Sequence, residues 1–207
     1  MKLNCTGVIL AGGTNSRLPG PKKTFHRVGG QTMLERVYTL FTRLFDEIIL
    51  VVNEPKDFIH LDLEMVTDII PCRCAQAGLH AGLFYASHEF SYVSACDVPF
   101  ASEAVIRHAV GLARPGTHVV IPRTPDGLEP LSAVYSKECI PLIEETLAKN
   151  IFMIKRFFKP KHVVEIPPET LKKLDPAMEF MFNVNTPEDL DTARGMALPG
   201  IKNKEES

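Results

Sequence analysis

Short apolar runs alternate along the chain with longer stretches whose apolar residues recur three and four positions apart. The first pattern predicts buried strands and the second amphipathic helices. Gly7-Val8-Ile9-Leu10 reads as the first strand. Thr32 to Phe45 reads as a helix, because Met33, Leu34, Val37, Leu40, Phe41, Leu44 and Phe45 share one face. Thr32-Met33-Leu34-Glu35 has the form of a capping box and marks its start. Glu47 to Val52 is almost wholly apolar, as expected of a strand covered by helices on both sides. The pattern continues with a short strand at Glu64–Thr67, a helix at Leu79–His88 and a strand at Tyr92–Cys96. Ser102 can cap a helix running to about Ala113. Strands follow at His118–Ile121, Ser132–Tyr135 and Val163–Ile166, with helices over 137–149 and 151–158. Thr186-Pro187-Glu188-Asp189 opens a last helix, with proline in the first turn where no amide partner is lost.

Alternating strands and helices predict an α/β fold, a mainly parallel central sheet with helices on both faces. Ligands in such a sheet sit at the carboxyl ends of the strands, near the point where strand order reverses. Residues 1–198 are expected to form one domain, and the polar stretch 199–207 a frayed tail. The 207 residues carry 45% apolar and 23% charged side chains, ordinary for a globular chain. A net charge of −2 gives no overall basic field for a nucleic-acid backbone. No apolar run is long enough for a secretory signal core or a bilayer span. Five cysteines, an odd number, with Cys5 and Cys96 in apolar runs, point to a reduced, cytoplasmic protein.

Candidate chemistry gathers where strands end. The first strand runs into Leu10-Ala11-Gly12-Gly13-Thr14-Asn15-Ser16-Arg17-Leu18-Pro19-Gly20-Pro21-Lys22-Lys23. Paired glycines there expose backbone amides, and with Arg17, Lys22 and Lys23 they can hold a polyphosphate. The same residues would equally serve a surface loop with two tight turns. Neither G-x-G-x-x-G nor G-x-x-x-x-G-K-[ST] is present, so the dinucleotide and Walker-type loops are excluded. Asp97 ends the central strand, where a carboxylate can hold Mg²⁺ on a nucleotide or, alternatively, start a turn. Asp68 has the same two readings. Gly78-Leu79-His80-Ala81-Gly82 permits close approach of a base or ribose, or tight helix–sheet packing. Asn183 and Asn185, two residues apart on an extended segment, can read a heterocycle or serve as turn residues. Cys72, Cys74 and His80 have poor spacing for a structural zinc site. Without G-x-S-x-G, serine-hydrolase chemistry has no support.

Four segments in order carry a resemblance: Leu10-Ala11-Gly12-Gly13-x-x-x-Arg17 followed by Lys23; Cys96-Asp97-Val98-Pro99-Phe100; Glu129-Pro130-Leu131-Ser132-Ala133-Val134-Tyr135; and Asn183-Val184-Asn185-Thr186-Pro187-Glu188-Asp189-Leu190. Together they resemble the molybdenum cofactor guanylyltransferases, over roughly residues 7–194. The first motif marks the wider nucleotidyltransferase superfamily; the paired glycines and the asparagine-containing ending point to the guanylyl branch. The resemblance implies a Rossmann-like three-layer fold and transfer of GMP from GTP to molybdopterin carrying molybdenum, with release of pyrophosphate. It implies that Leu10, Ala11 and Gly12 line guanine and ribose, and that Gly13, Arg17 and Lys23 face the phosphates. Asn53 and Asp68 would contact the nucleotide, Asp97 would hold Mg²⁺, and Asn183 and Asn185 would lie on the pterin side. Implied protein partners are those of cofactor biosynthesis and molybdoenzyme maturation; no nucleic acid or membrane is implied. Two departures matter. Pro19 stands where the family usually has glycine, which fixes φ and removes an amide donor, and His80 replaces a usually apolar residue. Related readings are a cytidylyltransferase, a sugar- or polyol-phosphate nucleotidylyltransferase, and a nucleotide-binding regulator that has lost turnover through Pro19.

Overall fold

The computed structural model describes residues 1–12, 20–61 and 63–198. The expectations placed on Gly13, Arg17, Pro19 and the tail at 199–207 lie outside these residues. The chain opens with β1 (Thr6–Leu10), then a 3₁₀ turn at Lys23–Phe25, the short strands β2 (Arg27–Val28) and β3 (Gln31–Thr32), α1 (Met33–Leu44) and β4 (Ile48–Val51). Next come β5 (Met65–Val66), α2 (Ala75–Tyr85), β6 (Phe90–Ala95), α3 (Glu103–Leu112), β7 (Val119–Thr124), β8 (Gly127–Leu128) and β9 (Ser132–Ser136). The last elements are α4 (Cys139–Ala148), β10 (Val163–Ile166), α5 (Pro168–Leu174) and α6 (Pro187–Met196).

The central sheet has the order β10-β7-β9-β6-β1-β4-β5, with β8 hairpinned onto β7. β1 pairs parallel with β4 and β6, β4 with β5, and β7 with β10. β9 runs antiparallel to both β6 and β7. Alternate residues of each strand feed opposite cores. Ile9, Leu50, Tyr92, Val120 and Val134 face α1, α3 and α5. Val8, Ile49, Val93, Val119 and Ala133 face α2 and α4. A smaller core joins Val28 and Met33 to Val184, Leu190 and Ala193, and so ties α6 to the β2–β3 hairpin. The α/β expectation with a mainly parallel sheet and helices on both faces is what the chain forms.

The capping box at Thr32 is formed: its hydroxyl accepts from the Glu35 amide at 3.1 Å, and its own amide donates to Glu35 Oε2 at 2.6 Å. Three helical segments differ most from expectation. α2 starts four residues before the expected Leu79 and ends at Tyr85. It stops because the Ser87 amide donates to Glu47 and the His88 amide to Thr6 Oγ1, in place of helical carbonyls. The helix expected over 151–158 is only a 3₁₀ turn at Ile154–Phe157. Asn150 there takes φ 57°, which ends α4, and Lys159, before Pro160, is extended. α5 was not foreseen; it buries one residue, Leu171, and starts at the second of two prolines.

Candidate active site

From β1 the chain moves outward to β4 and β5, then returns through α2 to β6 on the other side of β1. Strand order reverses between β1 and β6, and a cavity of about 310 Å³ opens there over the carboxyl ends. Leu10, Ala11 and Gly12 leave β1 into its wall, Asn53 and Asp68 follow β4 and β5, and Asp97 follows β6. The Ala11 amide donates to Val51 O and the Cys96 amide to Leu10 O, so the three strand ends are fixed to one another. Asn53 Nδ2 donates to Gly12 O at 2.6 Å. A Cβ on Gly12 would come within 3.0 Å of the Asn53 amide, so glycine is what lets this clamp close.

The 3₁₀ turn after the glycine-rich loop brings Lys23 across the cavity. Its Nζ donates to Asp97 Oδ2 at 2.6 Å and to Asn185 Oδ1 at 2.7 Å. The side chains of Lys23 and Asp97 are 20% and 22% exposed, within reach of a ligand yet partly shielded from water. The Asp97 carbonyl accepts from the Val184 amide at 3.0 Å, which docks the segment before α6 against the end of β6. Asn185 is held in turn by its amide, which donates to Asp189 Oδ2 at 2.8 Å within the capping box of α6.

Polar atoms here are left over. Asp97 Oδ1 and Thr24 Oγ1 are buried and have no hydrogen-bond partner among the described residues. An unpaired buried polar group costs about 1–3 kcal/mol, and both of these residues line the cavity, where a ligand can supply the missing bond. Burial pushes the Asp68 carboxyl above its ordinary range, partly offset by the field of His80.

Of the residues singled out in the sequence, Leu10, Ala11, Gly12, Lys23, Asn53, Asp68 and Asp97 share this cavity. Asn185 joins them through Lys23, whereas Asn183 turns its Nδ2 back to Met181 O at 3.0 Å. The two glycines of α2 divide the two readings given for them. Gly78 lies in the cavity wall. Gly82 lets α2 settle on β1, since a Cβ there would lie 2.5 Å from Val8 Cγ1. Lys22 also lines the cavity, with its Nζ paired to Glu54 and Asp57. Thr24, Arg73 and Cys74 also line the cavity without having been picked out as nucleotide contacts. Only Thr24 had a sequence signal, a hydroxyl directly after the phosphate-loop lysine.

A lysine and a carboxylate meet over the switch point of a mainly parallel sheet, the place where α/β proteins of this architecture bind their ligands. Residues 7–165 match the family model described as the MobA-like NTP transferase domain. The chain is 36% identical over 195 residues to the molybdenum cofactor guanylyltransferase of Desulfosudis oleivorans, covering 94% of this chain and 96% of that one. It is 37% identical over 195 residues to a probable molybdenum cofactor guanylyltransferase of Pelotomaculum thermopropionicum, covering 94% of each. A crystal structure of molybdopterin-guanine dinucleotide biosynthesis protein A from Archaeoglobus fulgidus superposes with a TM-score of 0.80 at 28% identity, over 92% of this chain and 97% of that one. The chain belongs to the MobA-like nucleotidyltransferase family. Nucleotidyltransferases generally use a divalent cation. Asp97, with one oxygen unpaired, fits such an ion shared with substrate phosphates. Among the described residues no three His, Cys, Asp or Glu side chains cluster to hold a metal by themselves.

Proposed function

We propose that this protein transfers GMP from GTP to molybdopterin carrying molybdenum, forming the guanine dinucleotide cofactor and releasing pyrophosphate. One observation carries the reading: the Lys23–Asp97–Asn185 contact at the end of β6, which joins the phosphate loop, the metal-type carboxylate and the segment before α6 in one place. The names of the relatives supply the substrates. A terminal phosphate oxygen of molybdopterin attacks the α-phosphorus of GTP, the bond to the bridging oxygen breaks, and pyrophosphate carries the electron pair away. The attacking phosphate is already ionised, so positioning and charge neutralisation do most of the work.

Leu10, Ala11 and Gly12 receive guanine and ribose, with Asn53 and Asp68 at the nucleotide's edge. Gly13 and Arg17, from their place in the first motif, face the phosphates. Lys23 exchanges its bonds to Asp97 and Asn185 for the phosphate chain, stabilising the leaving pyrophosphate. Asn183 and Asn185 belong to the pterin side. Asp97 would hold Mg²⁺, which would supply charge neutralisation at the phosphates. The reading includes a cytoplasmic protein that hands its product to other proteins of cofactor biosynthesis and molybdoenzyme maturation.

The test is a thermal-shift panel of GTP, CTP, ATP and UTP with Mg²⁺, followed by pyrophosphate release with and without molybdopterin. A ligand at 100 times its Kd stabilises by about 2.7 kcal/mol. GTP is expected to give the largest shift, and release to require molybdopterin. An equal or larger shift with CTP would move the assignment to the cytidylyl branch; binding without release would make the chain a regulator.

A further inference from the structure

At the mouth of the cavity the segment before α2 brings two thiols together. The Cys72 amide donates to Ile70 O at 2.7 Å and the Cys74 amide to Cys72 O at 2.9 Å, two successive three-residue turns. Residues two apart in a strand are separated by roughly 6.6 Å. Here the chain bends at Arg73, and Cys72 Sγ lies 3.1 Å from Cys74 Sγ. Both side chains are partly exposed, whereas Cys5, Cys96 and Cys139 are buried. Burial pushes the thiols of Cys5 and Cys139 up to about 12, which keeps them out of thiol chemistry. Cys74 and Arg73 line the cavity, and Cys74 is also the N-cap of α2, the helix that carries Gly78 into the wall.

We propose that Cys72 and Cys74 form a reversible redox-modification site, which a low-molecular-weight disulfide converts to an intramolecular disulfide that reshapes the cavity mouth. The Cys72 thiol donates to the Cys74 sulfur, and Cys74, which lines the cavity, begins the exchange. The Cys74 sulfur, giving up its proton, attacks one sulfur of the disulfide; that S–S bond breaks and the first thiolate leaves with the electron pair. Cys72 then loses its proton and attacks Cys74 Sγ, expelling the second thiolate. The protein gives up two electrons and two protons, and the disulfide is reduced to two thiols. Closing the pair to a bond of about 2.05 Å draws in the N-cap of α2 and turns Arg73 between its two anchors. The effect on GTP rests on the proposed function; the modification does not.

The experiment uses the full chain in buffers of graded reduced and oxidised glutathione, quenched by alkylation and mapped by mass spectrometry. Trypsin cuts after Arg73, so the disulfide leaves two peptides joined that dithiothreitol separates. Joined peptides are the expected result. Two alkylated thiols, or a stable glutathione adduct on Cys74 without ring closure, would overturn the site. GTP binding is then compared in reduced and oxidised protein, with Cys72→Ser treated identically. The wild type is expected to change its GTP affinity by about fivefold or more, a typical coupling between two sites, and Cys72→Ser not to change. A disulfide that leaves GTP affinity unaltered would overturn the coupling. Reduced protein that binds no GTP would instead count against the functional reading, while the peptide map still decides the modification.

Discussion

The two ends of the strands β1, β4 and β6 handle a carboxylate in opposite ways. At the amino ends, Glu47 accepts from the Thr6 hydroxyl and from the Ser87 amide, at 2.9 and 3.2 Å to its two oxygens, and lies 3.4 Å from His88 Nδ1. Burial alone would raise this carboxyl, but the bonds from Thr6, Ser87 and His88 outweigh it and hold it below its ordinary range. At the carboxyl ends, Asp97 uses one oxygen on Lys23 and leaves the other unpaired, and Asp68 is pushed up by burial. Asp97 follows β6 and Asp68 follows β5, the neighbour of β4, and the residue types are nearly those of the other end. A carboxylate that completes its bonds within the protein fastens the fold; Asp97 leaves one oxygen open to a ligand.

That contrast breaks most sharply at Asp97. Asp97→Asn keeps the shape and the turn bonds but offers a poor ligand for a divalent cation beside phosphates. Turnover is expected to fall on the order of 10²–10³-fold, several kcal/mol of barrier at about 1.4 kcal/mol per tenfold. Pyrophosphate release against Mg²⁺ concentration, with circular dichroism as the folding control, checks it. Near-normal activity would return Asp97 to the role of a turn residue.

Lys23→Ala comes next. Charge-assisted bonds contribute about 1.5–3 kcal/mol, so GTP affinity and turnover should each drop roughly 10- to 100-fold. Because the lysine also pairs with Asp97 and Asn185, the melting temperature should fall by a few degrees while the fold is kept. Unchanged GTP affinity would show that the phosphates lie elsewhere.

At the opposite end, Glu47→Gln is expected to cost about 1–3 kcal/mol of stability, because an amide cannot accept every bond the carboxylate accepts. The melting temperature should fall by roughly 2–4 °C per kcal/mol, with kcat of the folded protein unchanged. The pH dependence has a definite sign. The carboxyl is held below 4.5 in the folded chain, so its contribution is present above that value and lost as pH falls through the lower folded one. Acid unfolding of wild type and variant should therefore converge at low pH. A variant that also loses kcat would contradict the division between the ends.

Much of this was legible in the chain because local signals agreed with the packing. The buried strands of the sheet and the boxed start of α1 follow from period and capping alone. Asp97 could be placed because a residue after a central strand must reach the carboxyl edge. Thr24 could not be recognised as a buried, unpaired hydroxyl, since its burial depends on how the turn at Lys23–Phe25 lies in the cavity wall. Nor could the Cys72–Cys74 approach, which two backbone turns create from residues that an extended chain would keep apart. The missed α5 had one buried residue to announce it. The end of α2 is set from outside, by Glu47 capturing the Ser87 amide.

Asp68→Asn is the smallest and the most discriminating change. Burial raises the Asp68 carboxyl above 3.8, with His80 pulling the other way. A group raised on folding favours the native state fully below its unfolded value, and that advantage is lost as pH rises through the folded one. At neutral pH the ionised carboxylate therefore sits in an environment that disfavours it, and removing the charge should stabilise the protein without ligand. A rise of about 1–3 °C in melting temperature is expected, with a flatter dependence on pH in the acidic range. Differential scanning calorimetry from acid to neutral pH measures both. The same variant should show a smaller stabilisation by GTP, because the cavity has lost the charge that the fold tolerated there. A lower melting temperature without ligand would mean that Asp68, like Glu47, completes its bonds within the protein, and the contrast between the two ends would then rest on Asp97 alone. A gain in stability together with a loss of GTP response would place Asp68 among residues kept for function at the expense of the fold.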